Sequence, residues 1–187
     1  TTEDGVEIVG VASQAGLPRA VVLSHGVADS KDGKQLVAMA KVLAEQFDVY
    51  VFDYRGFGES GGGSTFGIRE ILDLKAVLDL VNSRGYRKVG VIGNSMGGMV
   101  SVMEVATFCN AQAVVTAGSP ASFSLMPGPR ASLGRWAVSH WLGRALYEMG
   151  SQVRIASGFV PIEPVLSAVP DYPTAYTTAY TTAYTLA

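Results

Sequence analysis

The stretch VGVIGNSMGGMV, Val89 to Val100, sets a serine between glycines, after one apolar run and ahead of another. Its centre, Gly93-Asn94-Ser95-Met96-Gly97, fits the pattern G-x-S-x-G. The spacing has a mechanical reason. A sharp turn from strand to helix forces the serine into a strained backbone conformation, and only small flanking residues let the turn close. The hydroxyl then stands clear of the sheet, near the positive end of the following helix, where backbone N–H groups can hold an oxyanion. Five residues of pattern also describe a tight structural turn that contains a serine. Here the match falls between a strand-like run and a helix-like run, and Gly98 adds room for close packing. A nucleophilic Ser95 is the expectation.

Outward from that turn, apolar runs alternate with helical patterns. Upstream, GVEIVGVAS (5–13) and RAVVLSHG (19–26) read as strands. Leu36, Met39, Ala40, Leu43 and Phe47 then recur at helical spacing. DVYVFDYRG (48–56) is a further strand, rich in Val, Tyr and Phe. Ile71, Leu74, Leu78 and Val81 form the stripe of a second amphipathic helix, with Gly85 placed to end it. KVGVIGN is the strand before Ser95, and Met96 to Phe108 is apolar almost all round, hence a buried helix. AQAVVTAG is the last clear strand. Nearly continuous apolar strands alternating with helices imply a mostly parallel sheet covered on both faces.

Beyond Pro120 the pattern loosens. MPGPRA (126–131) is a Pro/Gly loop, and Leu133 to Met149 reads as a helix with Val138, Leu142, Ala145 and Met149 on one face. Prolines follow at 161, 164 and 170, and the chain closes on TAYTTAYTTAYT (174–185), one four-residue unit written three times. Such low complexity does not specify a unique core, and it suits a strand and a helix equally badly.

The totals remove several classes of function. The 187 residues suit one domain with a sizeable core, and 48% hydrophobic against 16% charged residues describes a globular chain. A formal net charge of -2 with no basic cluster gives no footing for nucleic acid. Cys109 stands alone, which excludes an intrachain disulfide and favours a reducing compartment. No apolar run approaches the ~20 residues that span a bilayer, and no signal-peptide pattern is present. The chain starts Thr1-Thr2, so a native start upstream is expected. A soluble, cytoplasmic domain without stable membrane insertion and without cofactor or metal is the reading.

Two further motifs carry chemistry. Ser24-His25-Gly26-Val27 ends an apolar strand, and the glycine lets the loop turn so that the Val27 N–H points at the same spot as the Met96 N–H. Two such donors make an oxyanion hole, each worth about 3 kcal/mol in the transition state. The His25 side chain is expected to hydrogen-bond into the loop rather than act as a base. Gly56-Phe57-Gly58-Glu59-Ser60-Gly61 fits the dinucleotide fingerprint G-x-G-x-x-G, which should open a helix at once. Here the next helix starts only near Gly67, so a glycine-rich turn is preferred.

VVLSHG, VYVFDYRGFGESGGG and VGVIGNSMGG, in that order and at these separations, resemble the α/β-hydrolase family in its esterase, lipase and peptidase-like branch. The resemblance covers about Gly5 to Pro120. It implies a nucleophile at Ser95, oxyanion donors at Val27 and Met96, and a structural role for Asp53, Tyr54, Arg55 and Gly56 in the turn after their strand. Asn94 is a less usual choice at its position.

A serine hydroxyl needs a base, and the base needs an orienting acid. The family's chain order is serine, acid, histidine. This chain has two histidines, His25 before Ser95 and His140 in the expected lid helix beside Trp136, Gly143 and Tyr147. His140 is the one candidate base, although such a residue is more often a half-buried packing group. A family variant places the acid after the strand that ends near Gly118, where this chain has Gly118-Ser119-Pro120. Asp171 is the last carboxylate and no histidine follows it. The repeat begins where the resemblance would place the last two strands, so a chain truncated, frameshifted or altered near Val169 is expected. An open sheet edge inviting self-association follows from that.

The resulting organisation is an α/β-hydrolase-like core over 1–125, a lid or cap region over 126–170, and a low-complexity tail over 171–187. The function expected is a serine hydrolase of a carboxylic ester or related small acyl substrate. Trp136, Trp141 and Leu142 hint at a hydrophobic acyl group. The rival is a catalytically inactive hydrolase-fold remnant or binding module. A base supplied by a partner chain is a third option with nothing visible behind it.

Overall fold

Alternation along the central strands sorts their side chains onto two faces, and helices cover both. In β2 (Arg19–Ser24), Ala20 and Val22 point to one face and Val21 and Leu23 to the other. In β3 (Asp48–Phe52), Tyr50 and Phe52 join the first face and Val49 and Val51 the second. The first face packs against α2 (Glu70–Asn82) and α3 (Met96–Phe108) through Leu74, Leu78, Val81, Met99, Val100 and Met103. The second packs against α1 (Lys34–Leu43), chiefly through Leu36. This computed structural model describes residues 1–27, 29–120, 132 and 139–157, and the backbone of 181–185.

With β1 (Gly10–Ser13), β4 (Lys88–Asn94), β5 (Ala113–Ala117) and β6 (Thr181–Thr185), the described strands form one sheet in the order β1-β3-β2-β4-β5-β6. The four central strands are parallel, and β1 and β6 run antiparallel at the edges. Chain direction across the sheet reverses between β2 and β4. The connection after β2 leaves toward α1 on one face, and the connection after β4 enters α3 on the other. Their carboxyl ends, aligned through the pair Ser24 and Gly93, therefore open a crevice at a topological switch point. Open α/β sheets bind their ligands in such a crevice.

Several expectations shift. Only Gly10–Ser13 of the expected first strand pairs with the sheet. Met39 does not belong to the buried stripe of α1 but is 39% exposed. The glycine-rich run 56–61 opens no helix, since α2 starts at Glu70. The helix expected over 133–149 is broken at His140, which is extended at φ -105, ψ 137: Ser139 is helical before it, and α4 (Trp141–Ser151) follows. Residues 133–138 lie outside the described residues, as do the Pro/Gly loop 126–131 and the prolines at 161–170. On α4 the packed side is Gly143 and Tyr147, whereas Leu142 and Met149, expected together on one apolar face, are 54% and 75% exposed. The β5 edge expected to stand open is paired along Ala113–Ala117 by five residues of the repeat. Among the described residues no helix is long and apolar enough to cross a membrane.

Candidate active site

The turn between β4 and α3 closes because three glycines leave no room for anything larger. Ser95 adopts φ 51, ψ -119, a left-handed backbone that side chains other than glycine rarely take. Its N–H donates to Ala117 O at 2.8 Å, which ties the turn to the end of β5. A methyl group on Gly93 would lie 2.5 Å from Gly97 O, and one on Gly97 would lie 2.5 Å from His25 O and closer to Ser24 O. Gly98 is likewise covered, by the Ser119 side chain. The pattern glycines are thus where strand, turn and helix touch backbone to backbone. Gly97→Ala should therefore lower stability by about 3 kcal/mol, or roughly 6–12 °C in thermal unfolding.

The loop after β2 meets this turn. Gly26 lies so close that a Cβ there would sit 3.1 Å from Ser95 Cβ and 3.3 Å from Asn94 O. Val27 follows, half-buried, and Met96 opens α3, whose first N–H groups have no acceptor within the helix. The ends of β2 and β4 thereby bring residues 26–27, Ser95 and Met96 together.

His25 fixes the shape of that loop. It is fully buried, with Nδ1 2.7 Å from Gly26 O and Nε2 3.0 Å from Tyr54 N. A carbonyl only accepts and a backbone N–H only donates, so Nδ1 carries the proton and Nε2 is the acceptor. Burial pushes the imidazole below its ordinary value, and the ring stays neutral between Tyr54 and Phe57, each centroid 5.1 Å away. Both nitrogens are committed to backbone, so His25 has no capacity left to serve Ser95.

The turn after β3 braces the same loops. Tyr54 OH is 2.5 Å from Ser24 Oγ, which also donates to Gly97 O at 3.0 Å and so links β3, β2 and α3. The buried Asp53 carboxylate accepts from the N–H groups of Lys31 and Glu59 at 2.7 and 3.0 Å, with Lys31 Nζ at 3.3 Å. Arg55 grips Asp4 with two bonds of 2.7 and 2.9 Å and holds Asp73 through Nε at 2.8 Å. Gly56 turns at φ 77.

A clamp absent from the sequence reading lies beside the loop after β2. The buried Glu70 carboxylate accepts from Ser64 Oγ, Thr65 N, Thr65 Oγ1 and Gly67 N at 2.6–2.8 Å. It holds Phe66 at φ 52 with the side chain buried, a costly conformation for a bulky residue. The signal available in the sequence was the pair Ser64-Thr65 ahead of a helix that starts with Glu70, a variation on the capping pattern.

Among the described residues no acid or base joins Ser95. Its Oγ has no hydrogen-bond partner among the described residues. His140 is exposed at the start of α4, where its carbonyl accepts from Arg144 N at 2.8 Å. The elements that bring Val27, Ser95 and Met96 together do not include α4.

The fold recurs in solved structures. The chain is similar to the Pyrococcus furiosus esterase Pf2001, with 27% identity and a TM-score of 0.66 over 81% of this chain and 61% of that one. An alpha/beta hydrolase from Sphaerobacter thermophilus matches with 26% identity and a TM-score of 0.57, covering 83% of this chain and 60% of its own. A serine hydrolase without lid from Xanthomonas campestris, 24% identical with a TM-score of 0.54 over 62% and 56% of the two chains, shares the fold. The chain thus spans about three fifths of the length of the first two. The family model for the alpha/beta hydrolases matches residues 21–186, nearly the whole sequence. The chain belongs to the alpha/beta hydrolase family.

Proposed function

We propose that the protein is a serine hydrolase of a carboxylic ester or related small acyl compound, with Ser95 as nucleophile. The observation that carries this is the left-handed backbone at Ser95, with Gly26 against its Cβ and Gly93 against Gly97 across the turn. Strain of this kind persists only where surrounding structure over-determines it, and it clusters at working sites. Ser95 Oγ attacks the acyl carbon and the carbonyl oxygen takes up charge between the N–H groups of Val27 and Met96. The C–O bond to the alcohol then breaks, and the alcohol leaves with the proton from Ser95. Water hydrolyses the acyl-serine, returning the serine and releasing the acid. The likeness to an esterase at 27% identity supports an ester as substrate. His140 is the remaining imidazole for the role of base.

A second reading, a hydrolase fold that binds without turnover, is favoured by a specific observation. The chain has two histidines, and one of them has both ring nitrogens bound to backbone. A serine site without its base keeps about 10³–10⁴-fold of acceleration over water. Labelling with an alkyl fluorophosphonate separates the two. The hydrolase reading expects labelling of the wild type that Ser95→Ala abolishes and His140→Ala slows. Folded wild-type protein that takes up no probe at Ser95 sinks it in favour of the silent fold.

A further inference from the structure

Helix α4 is bolted to the scaffold at the point where the scaffold touches the oxyanion loop. Arg144 Nη2 donates to the carbonyls of Ile155 and Ala156, the latter at 2.7 Å, and Ile155 N donates to Glu148 Oε1 at 2.8 Å. Residues 154–156 in turn bond the glycine-rich turn: Ser64 N to Arg154 O at 2.7 Å, Ala156 N to Ser64 O at 2.9 Å, and Arg154 N to Gly56 O at 2.8 Å. These bonds bring Ile155 beside Phe66, the residue that the Glu70 clamp holds in a left-handed conformation. Tyr147 of α4 packs edge-on to Phe66 with centroids 6.2 Å apart, and Val27 packs against the same Phe66–Ile155 pair. Tyr147 and Val27, from the cap and from the oxyanion loop, thus share one small apolar cluster.

We infer that α4 is a fixed buttress of the oxyanion loop, with Phe66 and Tyr147 as positioning residues that set the Val27 N–H through the Phe66–Ile155 pair. The inference rests on the proposed role of Val27 as oxyanion donor. Phe66 acts by filling space: its clamped backbone cannot retreat, so its ring fixes how far the Val27 side chain can swing. Tyr147 packs edge-on against the same ring. An oxyanion donor displaced by a fraction of an ångström loses most of its benefit, because the hole works by geometry already in place.

The test compares Tyr147→Ala, Tyr147→Phe and Phe66→Leu with the wild type, each shown to be folded by thermal unfolding. Two quantities are read: the fluorophosphonate labelling rate at Ser95 and the 15N–1H amide shift of Val27 in the free protein. Tyr147→Ala and Phe66→Leu are expected to slow labelling about tenfold and to move the Val27 amide signal. Tyr147→Phe keeps the ring and should restore both to wild-type values. Folded Tyr147→Ala with an unmoved Val27 signal and an unchanged rate overturns the inference, as does a Tyr147→Phe variant as slow as Tyr147→Ala. A wild type that takes no probe defeats the proposed function instead. The amide shift then still decides whether α4 sets the loop.

Discussion

Ser95→Gly is expected to give a protein more stable than the wild type and wholly unreactive toward fluorophosphonates. The turn imposes φ 51, ψ -119 on residue 95 whatever its side chain, since Gly93 packs on Gly97 across it and the residue 95 N–H is tied to Ala117 O. For a residue with a Cβ that backbone costs about 1–3 kcal/mol, whereas glycine adopts it freely. Against the release stands the larger entropy that glycine loses on folding, about 0.5–1 kcal/mol. The half-buried serine contributes no side-chain hydrogen bond among the described residues, so little else is lost. A net gain of about 1 kcal/mol, or roughly 2–4 °C in melting temperature, follows for a chain of this size. Ser95→Ala keeps the Cβ, and with it the strain, so it should lose the label without the gain in stability. The two variants measured side by side isolate the strain. A Ser95→Gly protein that melts no higher than Ser95→Ala would show that the turn stores none. The proposed site would then be an ordinary turn, and the stability cost that working sites commonly carry would be missing.

Why this turn could be found in the sequence, while its surroundings could not, comes down to the range of the contacts. Gly93, Gly97 and Gly98 are required by backbone approaches within a few residues of Ser95, apart from β2 and Ser119, so their spacing is written locally. The central strands were legible for a similar reason: a parallel strand buried on both faces must be apolar at every position. The stripe Leu74, Leu78 and Val81 has one apolar side and goes where that side is buried. Helix α4 has one apolar stripe, Leu142, Ala145, Leu146 and Met149, but that stripe is exposed, so its periodicity does not point to the side that meets the body. The side that docks carries Gly143 and Tyr147, because a glycine lets the helix approach and a ring reaches Phe66, while Trp141, Leu142 and Met149 face outward. Arg55 with Asp4 and Asp73, and His25 with Tyr54, join residues 18 to 51 positions apart, and no local pattern announces them. The left-handed Phe66 is likewise invisible in sequence, since what holds it there is a carboxylate four residues on.

His25→Ala should be the most damaging single change outside the turn itself, and its effect should depend on pH in a defined sense. Removing the ring leaves a cavity between Tyr54 and Phe57 and strands two buried backbone groups, Tyr54 N–H and Gly26 C=O. The cavity and the orphaned groups together cost about 3–5 kcal/mol. His25→Asn can donate to Gly26 O, but its amide is too short to bring its oxygen to the Tyr54 N–H as well, so it should recover part of that loss. Because the folded protein holds His25 below the ordinary imidazole value, the unfolded chain binds the proton first as pH falls. The stabilising contribution of neutral His25 is thus complete above the ordinary value near 6.5 and is lost progressively as pH drops below it. Urea unfolding of wild type and His25→Asn at pH 8 and pH 5.5 reads this directly: the wild type should lose more stability on acidification than the variant. Equal losses would mean that the ring accepts its proton inside the fold, which the Tyr54 N–H bond to Nε2 forbids. His25→Ala frees the Gly26 carbonyl and with it the Val27 N–H, so in that variant probe uptake at Ser95 should fall more steeply than stability does. A His25→Ala protein that stays folded and labels at the wild-type rate would place the oxyanion donor elsewhere than residue 27.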